Sequence, residues 1–347
     1  MVDFLQVNDV SDKESSYHLP GIDVSGVLSS TQNVVEVGEH VWIDEDRLNL
    51  LAQQWMHQEN AHTPVTPPTW YDRYHFFDGT ERTVNWILVL DAVNFCFWSE
   101  RNQPRWSIEY KGERLNGYLA EAAALTRAVE EGMPLWDASY LSTISSEDVA
   151  TIFRGEQTIP LFEQRLQHMR EVGRVLLERY DGQFTRAIEQ VNGSAVQLAL
   201  LLARQFPSFN DVALYRTHMV RFLKRAQICV ADLYNAFGGK SWGAFDDIDQ
   251  LTVFADYKLP EVLRHYGVLE YEPTLAERVD KQELIEAGSE EEIEIRAATI
   301  WACELLRRTM QSRGSTITAA QIDLRLWLLG QQSDNMKPYH RTLTIFY

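Results

Sequence analysis

The chain has 347 residues, 45% of them hydrophobic and 11% aromatic, enough apolar side chain to bury a large core. Its 50 Asp and Glu outweigh its 32 Lys and Arg, for a formal net charge of −18. That balance disfavours grip on a nucleic-acid backbone, which needs clustered cations that release counterions, but it leaves room for one small phosphorylated ligand in a local basic pocket.

Cys96, Cys229 and Cys303 stand far apart and form no C-x-x-C or Cys/His spacing. Reduced buried thiols in a cytoplasmic protein are therefore expected, with no metal site. Met1–Pro20 is polar and mixed in charge, unlike a signal peptide, and no apolar run is long enough to span a bilayer.

Residues 1–30 are rich in Ser and Asp and read as an N-terminal extension of loops. Residues 31–347 read as one catalytic domain, with an alternative division into lobes at about 31–130 and 131–347. Order begins at Val34–His40, and Asp44–Gln58 predicts a helix with Leu48, Leu51 and Trp55 on one face. The Pro-punctuated TPVTPPT, Thr63–Thr69, predicts a loop. From Val84 to Trp98 the chain is nearly all apolar, yet it carries Asp91 and Asn94. As a helix, this run places Asp91, Asn94, Phe95 and Trp98 on one side and Trp86, Leu90, Val93 and Phe97 on the other. Such a polar pair needs partners, and both structural hydrogen bonds and a ligand satisfy that need.

RWSIEYKGERLNGY alternates and then turns at Lys111-Gly112, which predicts an antiparallel hairpin. From Tyr118 the pattern is helical almost throughout, with helices predicted over 118–131, 145–153, 161–180, 183–190, 194–204, 211–235, 259–266, 281–310 and 319–328. Ser145 with Asp148 forms a capping pattern, and SEEEIEIRAATIWACELLRR is acidic at its start and basic at its end, as a helix dipole favours.

Phosphate-loop, dinucleotide, nucleophile-elbow and H-E-x-x-H patterns are missing. Two segments remain unusual. In VRFLKRAQICVADLYN, Lys224 and Arg225 read either as surface charges or as functional cations. In GGKSWGAFDDIDQLTVFADYKLP, Asp256 lies between Phe254 and Tyr257, just before Leu259-Pro260. It reads either as a helix cap or as a semi-buried carboxylate in an aromatic pocket.

Taken together and in order, LDAVNFCFWSE, RWSIEYKGERLNGY, IPLFEQRL, FPSFND, FLKRAQ, LTVFADYKLP, EIEIRAATI and PYHRTLTIFY resemble the queuosine salvage family of queuosine 5′-phosphate N-glycosylases. The resemblance runs from about residue 35 to Tyr347. It implies a mainly α fold like the helix-hairpin-helix DNA glycosylases, to which the residue pattern adds a small antiparallel β-sheet in the N-terminal third. It implies hydrolysis of queuosine 5′-monophosphate to queuine and ribose 5-phosphate without metal or redox cofactor; beside it, composition and charge lead us to expect a cytoplasmic monomer without nucleic-acid or membrane partners. Lys224 and Asp256 stand where the family has its active-site pair. The L-P-G-V-G hairpin that grips DNA in repair relatives is not legible, and FGGKSWGAF is only a distant echo of it. The competing readings are a DNA or RNA base-repair glycosylase and a non-catalytic nucleotide-binding protein.

Breaking an N-glycosidic bond builds positive charge on the sugar, which a carboxylate beside C1′ stabilises. The implied leaving group is a 7-deazaguanine, so protonation at N7 is not available. Its N–H edge and its secondary ammonium call for carboxylate or amide acceptors. The candidate substrate-binding residues are His40, Asp91, Asn94, Phe95, Trp98, Arg225, Tyr257 and Arg341.

Overall fold

The computed structural model describes residues 16–19, 21–60, 73–332 and 336–347; the expected loop Thr63–Thr69 lies outside them. In chain order, α1 (Val27–Val37), β1 (Val41–Ile43) and α2 (Glu45–Asn60) precede α3 (Glu81–Val93), β2 (Ser107–Tyr110), β3 (Glu113–Asn116) and α4 (Gly117–Glu130). Next come α5 (Ala138–Ser142), α6 (Ser146–Ile152), α7 (Phe162–Tyr180), α8 (Thr185–Glu189) and α9 (Ala195–Gln205). The hairpin β4 (Val212–Tyr215) and β5 (His218–Arg221) leads into α10 (Lys224–Ala236). Last are α11 (Lys258–His265), β6 (Leu269–Tyr271), α12 (Pro273–Asp280), α13 (Glu290–Ser312) and α14 (Ala319–Gln332). The architecture is mainly helical, as expected.

Two helices form the centre. In α3 every residue from Thr83 to Val93 is buried, as befits a helix apolar all round. Thr80 caps it by accepting from the Arg82 N–H at 3.2 Å. In α13, Ser289 Oγ accepts from Glu292 N–H at 3.3 Å, and Glu290, Glu291 and Glu292 fill the first turn, where the dipole favours anions. The capping box of α6 forms, with Ser145 and Asp148 bonding each other's backbone N–H.

The expected hairpin appears as β2–β3, with Ser107 opposite Asn116 and Tyr110 opposite Glu113. Two further antiparallel pairs accompany it. β1 pairs with β6, Val41 opposite Tyr271, so the N-terminal region is sewn to the C-terminal half. One continuous buried apolar cluster runs from Val27 to Leu326.

Several boundaries differ from the sequence expectation. Within residues 1–30, order starts by Val27 rather than Val34. The expected helix 211–235 is a hairpin followed by a shorter helix. Val212–Tyr215 and His218–Arg221 pair across Arg216-Thr217, and Leu223 at φ 53° separates the hairpin from α10. The expected helix 281–310 starts only at Glu290, after its Ser289 cap. The apolar run to Trp98 is helical only to Val93. Cys96 has φ 44°, so the two-sided helix drawn for Asp91 to Trp98 does not form.

Candidate active site

The end of α3 organises the site. The last four carbonyls of any helix lack intrahelical partners and favour cations. Here three buried cations meet them. Arg225 Nη1 donates to Asp91 O at 3.0 Å and Ala92 O at 2.6 Å, while its Nη2 donates to Ser208 O. Arg165 donates to Val93 O, Phe95 O and, at 3.1 Å, Cys96 O, and it pairs with Glu121 at 3.0 Å, both side chains fully buried. Lys224 Nζ reaches Asn94 O at 3.4 Å. His168 Nδ1 also bonds Ala92 O, at 2.9 Å, and burial, helped by Arg225, pushes its pKa down to about 3, so it acts as a neutral donor.

A second device joins Lys224 to Asp256. Arg296 on α13 grips Asp211 through two bonds, at 2.9 and 2.6 Å. Asp211 Oδ2 accepts the Lys224 N–H at 3.1 Å, and Arg296 Nε donates to Ala255 O at 3.3 Å. One buried ion pair thus sets both the start of α10 and the loop that carries Asp256. Asp256 Oδ1 accepts from Lys258 N–H at 2.7 Å and Leu259 N–H at 3.0 Å, so it does cap α11. Its other oxygen appears in no described hydrogen bond. Burial raises the Asp256 pKa, and Lys224 with the two N–H groups holds it back. Lys224 is lowered by burial and supported first by Asp256. Asp256 lies deep yet keeps partial solvent contact, as expected of a group lining a pocket.

The surroundings are polarised. On one side stand carboxylates. Burial brings Asp91 to about 7 and Asp323 on α14 to about 8, and it raises Asp232 on α10 well above the usual range. The oxygens of Asp91 lack a well-formed hydrogen bond, although Asn94 and Cys229 lie close enough to ease its charge. On the other side, Tyr257 packs on Tyr339 with centroids 4.8 Å apart. Lys258 Nζ lies 5.1 Å over the Tyr339 ring, Arg105 donates to its hydroxyl at 3.4 Å, and Arg341 covers Trp98 at 5.5 Å. The buried Trp98 Nε1 meets no acceptor among the described residues.

The structure therefore gathers Lys224, Asp256, Asp91 and Asn94 at one place, with Tyr257, Trp98 and Arg341 at its aromatic flank. Arg225 commits its guanidinium to carbonyls, and Phe95 is clasped between Arg165 and Arg225 at 4.4 and 5.2 Å. His40 lies elsewhere: its N–H donates to Glu294 at 2.6 Å. His40, Glu290 and Glu294 place ligand atoms within 4.8 Å of one another, but Glu294 already serves the N–H of Val41 and the hydroxyl of Tyr215. Asp211, Arg296, Asp232, Asp323 and Arg105 escaped the sequence reading. Asp211, Arg296, Asp232 and Arg105 lie within the quoted FPSFND, EIEIRAATI, VRFLKRAQICVADLYN and RWSIEYKGERLNGY, where nothing local marked them out; Asp323 lies outside every quoted segment.

Comparison with known proteins identifies the family. The sequence profile described as queuosine salvage protein matches residues 74–347. A protein of Sphaerobacter thermophilus named queuosine 5′-phosphate N-glycosylase/hydrolase is 54% identical over 94% of this chain and 99% of its own length. Proteins with the same name from Dictyostelium discoideum and Mus musculus are each 36% identical, over 92% and 77% of this chain and 98% and 82% of theirs. A match of this extent, covering every segment that builds the site, shows that the chain belongs to the queuosine salvage protein family.

Proposed function

We propose that the protein hydrolyses the N-glycosidic bond of queuosine 5′-phosphate, releasing queuine and ribose 5-phosphate. The observation that carries the reading is a deep carboxylate, Asp256, with one oxygen fixed by two backbone N–H groups and Lys224 as its main stabilising charge. In this reading the ionised Asp256 faces the sugar, stabilises positive charge growing at C1′ and orients the attacking water. Lys224 keeps Asp256 ionised against its burial. Arg105, Lys258 and Arg341, gathered on the aromatic side of Asp256, hold the 5′-phosphate; Lys258 meanwhile pairs with Glu261 at 2.8 Å. The leaving base lies toward the carboxylate side, where acceptors meet its N–H edge and its ammonium.

Purified protein incubated with queuosine 5′-phosphate is expected to release queuine, followed by chromatography. Asp256→Asn is expected to lose on the order of 100-fold or more in kcat while still binding. Absence of release by the wild type would sink the reading, and full activity of the variant would remove Asp256 from it. Comparison with the unphosphorylated nucleoside tests the basic side, because equal turnover would deny it a phosphate.

A further inference from the structure

Asp232 lies two turns beyond Lys224 on α10, about 12 Å along the helix axis. Its Oδ2 is sealed from solvent and meets no hydrogen-bond donor, and among the described residues it enters no ion pair. A buried carboxylate oxygen without a donor is costly, and folded proteins keep one only where something else compensates. The nearby charges do not compensate. Asp91 and Asp323 crowd it with like charge, and among the described residues Lys224 is the cation that eases it. Close by, the Tyr118 hydroxyl is engaged by His75 Nε2 at 2.8 Å. Trp327, one turn after Asp323 on α14, meets Tyr118 edge-on at 6.3 Å. Asp232 thus brings a solvent-sealed acceptor oxygen to a neighbourhood that also holds the rings of Tyr118 and Trp327.

We propose that Asp232 is the specificity-determining residue for the base: its buried oxygen accepts the N–H groups on the pyrimidine edge of a guanine-type base, the ring N1–H and the exocyclic amine. The proposal rests on the functional reading above and places that edge on the far side of the base from the scissile bond. The two neighbouring carboxylates are less suited. Asp91 is 0% exposed and shares its surroundings with Asn94 and Cys229. Asp323 already accepts the Phe254 N–H at 2.7 Å, which steadies the loop before Asp256. Asp232 keeps partial solvent contact while its orphan oxygen is sealed from solvent. A carboxylate accepts two parallel N–H donors at once, whereas an adenine-type edge would present a lone pair to it. The neighbouring aromatic rings suit a flat base.

Calorimetric titration of wild type and Asp232→Asn with queuine and, separately, with ribose 5-phosphate tests this. Queuine affinity is expected to fall about 10- to 100-fold, the loss of the hydrogen bonds that hold the base edge, while ribose 5-phosphate affinity is unchanged. Unchanged queuine affinity overturns the proposal, and so does a parallel loss of both ligands, which would make Asp232 structural. Should the variant fail to fold, the wild type answers alone. A queuine analogue lacking the exocyclic amine is expected to bind about 10-fold or more weakly, and equal binding overturns the assignment. A wild type that binds queuine with this selectivity but does not hydrolyse queuosine 5′-phosphate would overturn the activity and leave Asp232 as its base reader.

Discussion

Asp256 and Lys224 carry opposed pressures from the same cause. Burial raises the carboxyl and lowers the ammonium, and each restrains the other's shift. The reaction as proposed needs Asp256 ionised and Lys224 protonated. Activity should therefore climb as pH rises through an acid limb above the ordinary carboxylate range, and fall through a basic limb below the ordinary lysine range. Asp91, Asp232 and Asp323 face the same space and share part of this range. Asp323, raised by burial to about 8, has Asp256 among the charges acting on it. In Asp323→Asn the acid limb should persist, which a pH series of kcat would show; its disappearance would assign the limb to Asp323. From sequence, Asp256 kept two readings, cap or pocket carboxylate. The structure gives it the cap on one oxygen, and the proposed catalytic role falls to the other.

At the scale of elements, legibility followed local signals. Capping boxes, alternation and apolar periodicity gave α2, α6, α7, α9 and the β2–β3 hairpin nearly to the residue. What failed was tertiary. VALYRTHMVRF is apolar enough to pass for the start of a helix, and only the left-handed backbone at Arg216 and Leu223 breaks it into a hairpin. Likewise the run ending at Trp98 leaves the helix because Arg165, Arg225 and Lys224 take its terminal carbonyls. Two of those cations come from over 100 residues away, and no local pattern reports them. Close packing makes a sharper test. A Cβ on Gly173 of α7 would lie 2.2 Å from Ser142 N and 2.6 Å from Ala138 O, both backbone atoms of α5. Gly173→Ala improves helix propensity by about 1 kcal/mol, yet overpacking against rigid backbone costs about 1–3 kcal/mol or more. Thermal denaturation should show a net loss of stability; a raised melting temperature would mean α5 yields freely.

For the whole molecule, composition read the charge correctly but not its arrangement. With a net charge of −18, the protein should show no shift of duplex DNA in a gel at physiological salt, where counterion release drives binding. A salt-sensitive shift would revive the repair-enzyme reading. The candidate site has Arg105, Lys258 and Arg341 around the aromatic residues beside Asp256, and the carboxylates Asp91, Asp232 and Asp323 around Lys224. That arrangement has a pharmacological corollary. A sugar mimic carrying a permanent positive charge in its ring, an anionic tail at the 5′ position and a guanine-like head would match Asp256, the cations and the carboxylates respectively. Because such a ligand imitates the strained halfway point of the bond cleavage rather than the intact nucleotide, it should outcompete the substrate by a factor on the order of 100 or more.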